Sequence, residues 1–413
     1  MLIDLPDAIK ADLTKIGEDV SERLAIKASE VYVIRTVRPR YAHPNAPERG
    51  IQQMPMPKSV IEGGILHDSV IVDVAVSKFA DHMPLSRQVE RFARDGIDLS
   101  LSTLSANVLT VGEVWLKTLV DALWVVLRQR RSLHVDETVL PTLPEPGRAE
   151  RQTKKTRLWT YLNDTGPPII LFHYTQTKAG QHVLDVLSDW QGPKQGPTDP
   201  CALYLHADAA SNYEALYRAY SRIKPVNCWA HARRKFYAIA QESSTRIFAH
   251  EMVEQIDVLF AHERDWKALS DLARQEKRQT EALQQLEKIH AMLRQKTTGQ
   301  AANSATAQAI HYLLKRWDNF TRYTERGELN LSNNAAERAL RKAALGRKNF
   351  LFVGNERGGE AAAIYYSLIE TAKANGIAPK QWLEKALREL PKRKGSSFND
   401  VKDLLPIQGA DLL

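Results

Sequence analysis

Between Leu133 and Tyr237 the hydrophobic pattern changes period, and that change restricts the possible folds more than any other feature of the chain. Short β-branched, apolar runs at Leu133–Leu140, Arg157–Asn163, Pro168–Tyr174, Ala202–Ala207 and Lys224–Cys228 predict five strands. Helical patterns at Ala179–Leu187 and Asn212–Ser221 precede the fourth and fifth strands. Strands joined by short links run antiparallel, whereas a strand entered through a crossover helix can be added in parallel. The predicted product is a mixed sheet in which the first and fourth strands end side by side.

Acids sit at both of those ends. Asp136 lies in Ser132-Leu-His-Val-Asp-Glu-Thr-Val139 and Asp208 closes Cys201-Ala-Leu-Tyr-Leu-His-Ala-Asp208. A third acid, Glu337, falls in Asn333-Asn-Ala-Ala-Glu-Arg-Ala-Leu-Arg341, a run of helix formers with an Asn able to cap it. Two acidic strand ends and an acid on a helix can converge on a pair of Mg²⁺ or Mn²⁺ ions. Such ions take oxygen ligands, and a pair about 3.5–4 Å apart stabilises both the attacking and the leaving oxygen of a phosphodiester. Asp136, Asp208 and Glu337 are therefore the candidate catalytic and metal-binding residues. The expected fold is α/β: a ribonuclease H-like core, interrupted by an all-helical insertion and preceded by a helical, helix-turn-helix-like domain.

The texture of the chain sets the expected boundaries. Residues 1–58 combine a short helix, a strand at Val31–Val37 and a Pro-rich connector from Pro39 through Pro57, where each Pro removes a backbone donor. Residues 59–131 are helical. Leu85, Val89 and Phe92 share one helix face, Asp95-Gly-Ile-Asp98 makes a turn, and Ser100 or Ser102 can cap the next helix. That is the outline of a DNA-binding helix-turn-helix, and equally of a plain helical hairpin with solvated Arg87, Arg91 and Arg94. The core's first part is expected at 132–240 and the helical insertion at 241–325, with a long amphipathic helix over Arg264–Lys296. The last core part, 326–394, holds the Glu337 helix, a hairpin or loop at Asn349–Glu360 and two further helices. A polar tail is expected at 395–413.

Charge points to a polyanion. Lys and Arg number 57 against 49 Asp and Glu, a formal charge of +8. Arg338, Arg341, Lys342, Arg347 and Lys348 cluster around Glu337, and Arg233, Arg234 and Lys235 follow Cys228-x-x-His231. Arg233, Arg234, Arg338, Arg341, Arg347 and Lys348 are the candidate DNA contacts, with solvated helix-face charge as the alternative. His134 and His206 each stand two residues before an acid, on the same strand face. Mg²⁺ prefers oxygen, so packing or a hydrogen bond to a carboxylate suits these histidines better than ligation. Trp159, Trp229 and Trp317 read as core. Cys201 and Cys228 are the only cysteines, which leaves no disulfide framework. No run reaches the roughly 18 apolar residues of a membrane helix.

A series of short strings resembles one family. They are Gly17-Glu-Asp-Val-Ser-Glu-Arg-Leu24, Arg38-Pro-Arg-Tyr-Ala42, Lys78-Phe-Ala-Asp-His-Met-Pro-Leu-Ser-Arg87 and His134-Val-Asp-Glu-Thr138. Further along come Cys228-Trp-Ala-His-Ala-Arg-Arg-Lys-Phe236, Asn333-Asn-Ala-Ala-Glu-Arg338, Gly346-Arg-Lys-Asn-Phe-Leu-Phe352 and Ser367-Leu-Ile-Glu-Thr-Ala-Lys373. In this order they resemble the transposases of the insertion-sequence-sixty-six group, the TnpC type. The resemblance implies a DDE transposase of a bacterial insertion sequence, with Asp136, Asp208 and Glu337 as its triad. It makes Cys228 and His231 accessory residues, since Cys-x-x-His recurs in several transposase groups; a buried Cys beside a satisfied His is the plainer alternative.

The resemblance also carries two departures. Family members have a Cys pair near the N-terminus and a second after Arg-Pro-Arg-Tyr-Ala, completing a zinc site. Here that place reads Tyr41-Ala-His-Pro-Asn-Ala-Pro47, so the expectation is an N-terminally shortened member with no zinc. After Asp208 this chain has Ala209-Ala210 where similar proteins carry Gly-Tyr. The implied activity is metal-dependent cleavage of transposon ends and strand transfer, on double-stranded DNA. A homodimer or larger assembly and accessory proteins of the same element are the implied partners, in the bacterial cytoplasm at the nucleoid, with no membrane. Two alternatives stay open: a ribonuclease H-like nuclease that cuts without joining, and an inactive DNA-binding remnant.

Overall fold

The computed structural model describes residues 30–44, 49–144, 153–190, 192, 202–209, 213–297, 301 and 303–408. The chain divides into two compact units, Met1–Met56 and Pro57–Leu413. In the first, strands β1 (Tyr41–Ala42) and β2 (Ile51–Gln52) pair antiparallel, with Tyr41 opposite Gln52. The Arg38 guanidinium donates to Met54 O at 2.9 Å and Gln53 Nε2 donates to Arg38 O at 2.8 Å, closing the Pro-rich loop on itself. The strand expected at Val31–Val37 does not form; the run is exposed and has no ladder partner, and β propensity alone does not hold a strand. The helix expected upstream lies outside the described residues.

The second unit opens with α1 (Asp68–Phe79), α2 (Leu85–Arg94), α3 (Leu101–Val111), a π turn and α4 (Lys117–Leu127). On α2, Phe92 is buried as its spacing predicts, and so is Gln88, whose amide donates to Val74 O and Met83 O. Arg91 pairs with Asp73 at 2.6 Å, which locks α2 to α1. Gly96 takes the left-handed conformation, φ +76°, that the α2–α3 turn requires. Ser100 Oγ then caps α3 by accepting from Thr103 N.

The sheet follows: β3 (Ser132–Thr142), β4 (Lys154–Asn163), β5 (Ile170–Thr175), β6 (Leu203–Ala207) and β7 (Ile223–Asn227). Helices α5 (Gln181–Leu187) and α6 (Glu214–Ala219) precede β6 and β7. The order across the sheet is β5-β4-β3-β6-β7, antiparallel from β5 to β3 and parallel from β3 to β7. On the outer edge of β5, the Ile170 and Phe172 amides donate to Thr371 Oγ1 at 3.0 Å and Ser367 Oγ at 2.8 Å. Two hydroxyls at i, i+4 spacing on a helix thus close an edge that would otherwise invite another strand.

Helices α7 (Trp229–Ala240), α8 (Ile247–Asp265), α9 (Asp271–Lys277), α10 (Leu283–Thr297), α11 (Ala305–Leu314) and α12 (Trp317–Thr321) build a second apolar core around Trp229, Phe236, Met252, Ile289 and Phe320. The long helix expected over Arg264–Lys296 is instead broken at Trp266–Ser270 and distorted further along. Ser270 caps α9 afresh, and a π turn at Arg278–Ala282 carries the Arg278 side chain into the interior. Nearby, a Cβ on Gly327 would lie 1.7 Å from Asp271 O, a close approach only glycine permits.

The chain then returns to the sheet with α13 (Asn334–Phe350), α14 (Glu356–Ala374), α15 (Pro379–Glu389) and α16 (Phe398–Val401). The loop expected at Asn349–Glu360 contracts to the short α13–α14 link. Val353 runs beside the end of β3, its N–H donating to Pro141 O and its carbonyl accepting from Leu143 N. The segment expected as a polar tail is packed through residue 405: Val401, Leu404 and Leu405 are buried, and Trp382 Nε1 donates to Leu404 O at 2.9 Å. No helix among the described residues is long and apolar enough to cross a membrane.

Candidate functional site

Strand register brings the first two acids together. His134 on β3 stands opposite His206 on the parallel neighbour β6, so Asp136 and Asp208 lie two residues beyond a matched pair and on one side of the sheet. Asp136 is half-buried, and its Oδ1 accepts from Glu137 N at 2.9 Å. Burial pushes its carboxyl up to about 7, and the charges of Glu137, Asp208 and Glu337 act in the same direction. The three predicted acids thus share one electrostatic field. Glu137 is raised too, by burial first and then by the charge of Asp208. Carboxylates that resist ionising together form a site where a hard cation relieves the repulsion, and their oxygens are what Mg²⁺ or Mn²⁺ prefers.

Glu337 sits in the first turn of α13. Arg234 Nη2 donates to both of its oxygens, at 3.3 and 3.4 Å, and His231 Nε2 lies 3.5 Å from Oε1. Burial holds the His231 imidazole below its ordinary range, and His231 Nδ1 is buried with no partner among the described residues. Cys228 Sγ accepts from Asn333 N at 3.1 Å, and burial raises the thiol, so it behaves as a packed, protonated group. The Cys-x-x-His spacing therefore bridges the start of α7 to the start of α13: one residue meets the helix end, the other faces its acid.

The candidate DNA contacts divide. Arg338, Arg341 and Lys348 are exposed on α13, and Arg234 is exposed beside Glu337. Arg233 turns away and pairs with both oxygens of Asp257 at 2.6 and 2.8 Å. Arg347 is bonded to Val139 O and, at 3.3 Å, to Thr138 Oγ1, so its guanidinium is committed to β3.

Sequence reasoning missed Asp164, Asn330 and the main task of Asn333. Asp164 is nearly inaccessible, with His134 Nε2 at 2.5 Å from Oδ1 and His206 Nε2 at 3.3 Å from Oδ2. Ser132 Oγ and Asn330 Nδ2 also donate to it. Burial alone would depress His134, but the Asp164 charge and the hydrogen bonds to Asp164 and Asn333 raise it instead. Asp164 falls well below the carboxylate range because the His134 and His206 charges outweigh its burial, whereas burial brings His206 down to about 3. In Asn163-Asp-Thr-Gly166 the residue reads as a turn. Its signal lay in register: Leu133 pairs with Asn163, which puts Asp164 beside Ser132. The histidines' preference for a carboxylate hydrogen bond over ligation matches this geometry.

Residues 63–361 match the family model described as Transposase IS66 family, and residues 367–407 match the IS66 C-terminal element. The chain belongs to the IS66 transposase family. Three curated relatives, all described as uncharacterized proteins of Sinorhizobium fredii (strain NBRC 101917 / NGR234), align along almost its whole length. Protein y4jD is 33% identical over 405 residues, covering 95% of this chain and 76% of its own. Protein y4hP is 31% identical over 398 residues, covering 92% and 69%. Protein y4qI is 30% identical over 403 residues, covering 95% and 71%.

One expectation is overturned. Residues 10–44 match the zinc-finger binding domain of transposase IS66, so the family's zinc-finger segment is present and the expectation of no zinc is withdrawn. Counting cysteines looked only at ligands, whereas the match extends over the whole segment.

Proposed function

We propose that this IS66 family member is a DDE transposase that cleaves the ends of its element and joins them to target DNA, using Asp136, Asp208 and Glu337 to hold two Mg²⁺ or Mn²⁺ ions. The observation that carries this reading is the register of β3 and β6, which sets two half-buried acids on one side of the sheet, with the charge of Glu337 acting on Asp136. The strand order supports a ribonuclease H-like core. In this reading α8–α12 form its helical insertion, and α1–α4 a DNA-binding domain.

When bound, the ions supply Lewis acidity toward the nucleophilic water or 3′-OH and toward the leaving oxygen. The chain's own residues do the rest. Arg234 and His231 flank the Glu337 carboxylate and orient it, and Asp136, Asp208 and Glu337 would hold the ions. Arg338, Arg341 and Lys348 offer positive charge to the phosphates beside the acids, which makes DNA affinity steeply salt-dependent. Joining uses the same site with a 3′-OH in place of water. Two ends must be held at once, so the working form is a dimer or larger assembly on DNA.

Asp136→Asn, Asp208→Asn and Glu337→Gln each remove a charge while keeping shape. Each should lower Mg²⁺- or Mn²⁺-dependent nicking of an end-containing duplex by about a thousandfold, the equivalent of about 4 kcal/mol. Metal-free duplex binding should remain. Wild-type cutting by any one variant removes that residue from the triad. Cut ends that never join target DNA would leave a nuclease and overturn the transposition reading.

A further inference from the structure

The residue at the N-cap of the Glu337 helix does not cap it. Asn333 is fully buried, and its side chain makes no bond to the first turn of α13. An Asn at this position ordinarily accepts from a first-turn N–H. Here Nδ2 instead donates to Val135 O at 2.8 Å, and Oδ1 faces His134 Nδ1 at 2.7 Å. The Asn333 backbone N–H goes to Cys228 Sγ. One residue therefore clasps β3 just before Asp136, the start of α7 and the start of α13. From His134 the chain of bonds continues to Asp164.

A metal does not explain this cluster. The ligand atoms of His134, Asp164 and His206 lie within 4.8 Å of one another. Yet the two imidazoles are stacked, with centroids 4.3 Å apart and planes within 15°. Their in-plane lone pairs point side by side rather than at a common point, so one ion cannot lie in both planes. Asp164 already has four donors around it, about as many as a carboxylate accepts.

We propose that Asn333 and His134 are positioning residues for the carboxylate triad, fixing the distance between β3, which carries Asp136, and the first turn of α13, which carries Glu337. This inference rests on the triad reading above. A buried network of amide, imidazole and carboxylate is favourable only with every member paired. Sliding α13 along β3 would strand several members at once, so the network admits one spacing, and a pair of metal ions tolerates about 0.5 Å of error.

The test uses the full chain with Asn333→Asp, His134→Asn and His134→Gln, beside wild type and Asp136→Asn. Asp at 333 keeps the acceptor for His134 and can cap a helix, but has no N–H for Val135 O. His134→Asn keeps a donor near the Nδ1 position; His134→Gln keeps one near Nε2 only. The concentration of Mn²⁺ giving half-maximal cleavage should rise about 10–100-fold in Asn333→Asp, the range seen when a group supporting a metal ligand is lost. The rate at saturating Mn²⁺ should largely recover, and His134→Asn should lie closer to wild type than His134→Gln. Mn²⁺ binding read by electron paramagnetic resonance should move in parallel without any turnover. An unchanged Mn²⁺ requirement in folded Asn333→Asp, or His134→Gln outperforming His134→Asn, overturns the assignment. Loss of folding in all three variants also overturns it, since the network would then serve stability alone. If Asp136→Asn fails to change Mn²⁺ binding, the triad reading falls instead.

Discussion

Replacing Arg278 with methionine tests how the helical module holds the route to the Glu337 helix. Arg278 is fully inaccessible and donates to both oxygens of Glu263, at 2.8 and 2.6 Å. It also donates to the carbonyls of Tyr323, Arg326, Gly327 and Leu329, at 3.0, 2.6, 3.2 and 2.8 Å. Methionine fills much of the stem's volume and removes every donor. Breaking a buried ion pair from one side costs about 3–5 kcal/mol, because the other charge is left unpaired. Each carbonyl left without a partner adds about 1–3 kcal/mol where water cannot reach it. A loss of about 4 kcal/mol or more is therefore expected, measured by guanidinium denaturation of the full chain. The double variant with Glu263→Leu should be less destabilised than Arg278→Met alone, since it removes the stranded carboxylate. Because residues 323–329 lead directly into Asn330 and Asn333, metal-dependent cleavage should fall as well. A loss below about 1 kcal/mol, or a double variant worse than the sum of the singles, would refute the reasoning.

Three further outcomes are expected. The Lys78 ammonium lies 5.4 Å from the Phe79 ring centroid and 4.9 Å from that of Phe350, and burial brings it down to about 8. Between there and its ordinary 10.5 the unfolded chain binds more protons than the folded one, so stability should rise with pH across that window. The rise should be on the order of 1–3 kcal/mol relative to Lys78→Met; parallel stability–pH curves for the two proteins would contradict it. Separately, Arg338→Ala and Arg341→Ala should each flatten the log–log salt dependence of DNA binding by about one unit. Arg347→Ala should instead lower stability through its bonds to Val139 O and Thr138, with the slope unchanged. Unmoved slopes in both exposed-arginine variants would put the phosphate contacts elsewhere.

The sequence by itself determined what local chemistry determines. Alternation in Leu133–Leu140 and its neighbours marked the strands within a few residues, and Ser100 or Ser102 ahead of Leu104 and Val108 marked a capped helix, for which the structure uses Ser100. Two residues of spacing put His134 with Asp136 and His206 with Asp208, because a strand repeats its face every second residue. Tertiary structure decided which groups meet across long stretches of chain. Asn333 looked like a cap, yet β3, nearly 200 residues earlier, offers it a carbonyl and an imidazole that the helix end cannot match. Arg233 and Arg347 were legible as charges in a basic cluster, but Asp257 and the Val139 carbonyl claimed them only after folding. Within the stretch Arg264–Lys296, the π turn at Arg278–Ala282 accompanies an arginine drawn inward by a carboxylate and four carbonyls, partners that no local propensity encodes. Propensity and period act over a few residues. The partner of a buried polar group is chosen by whatever the fold brings within about 3 Å of it.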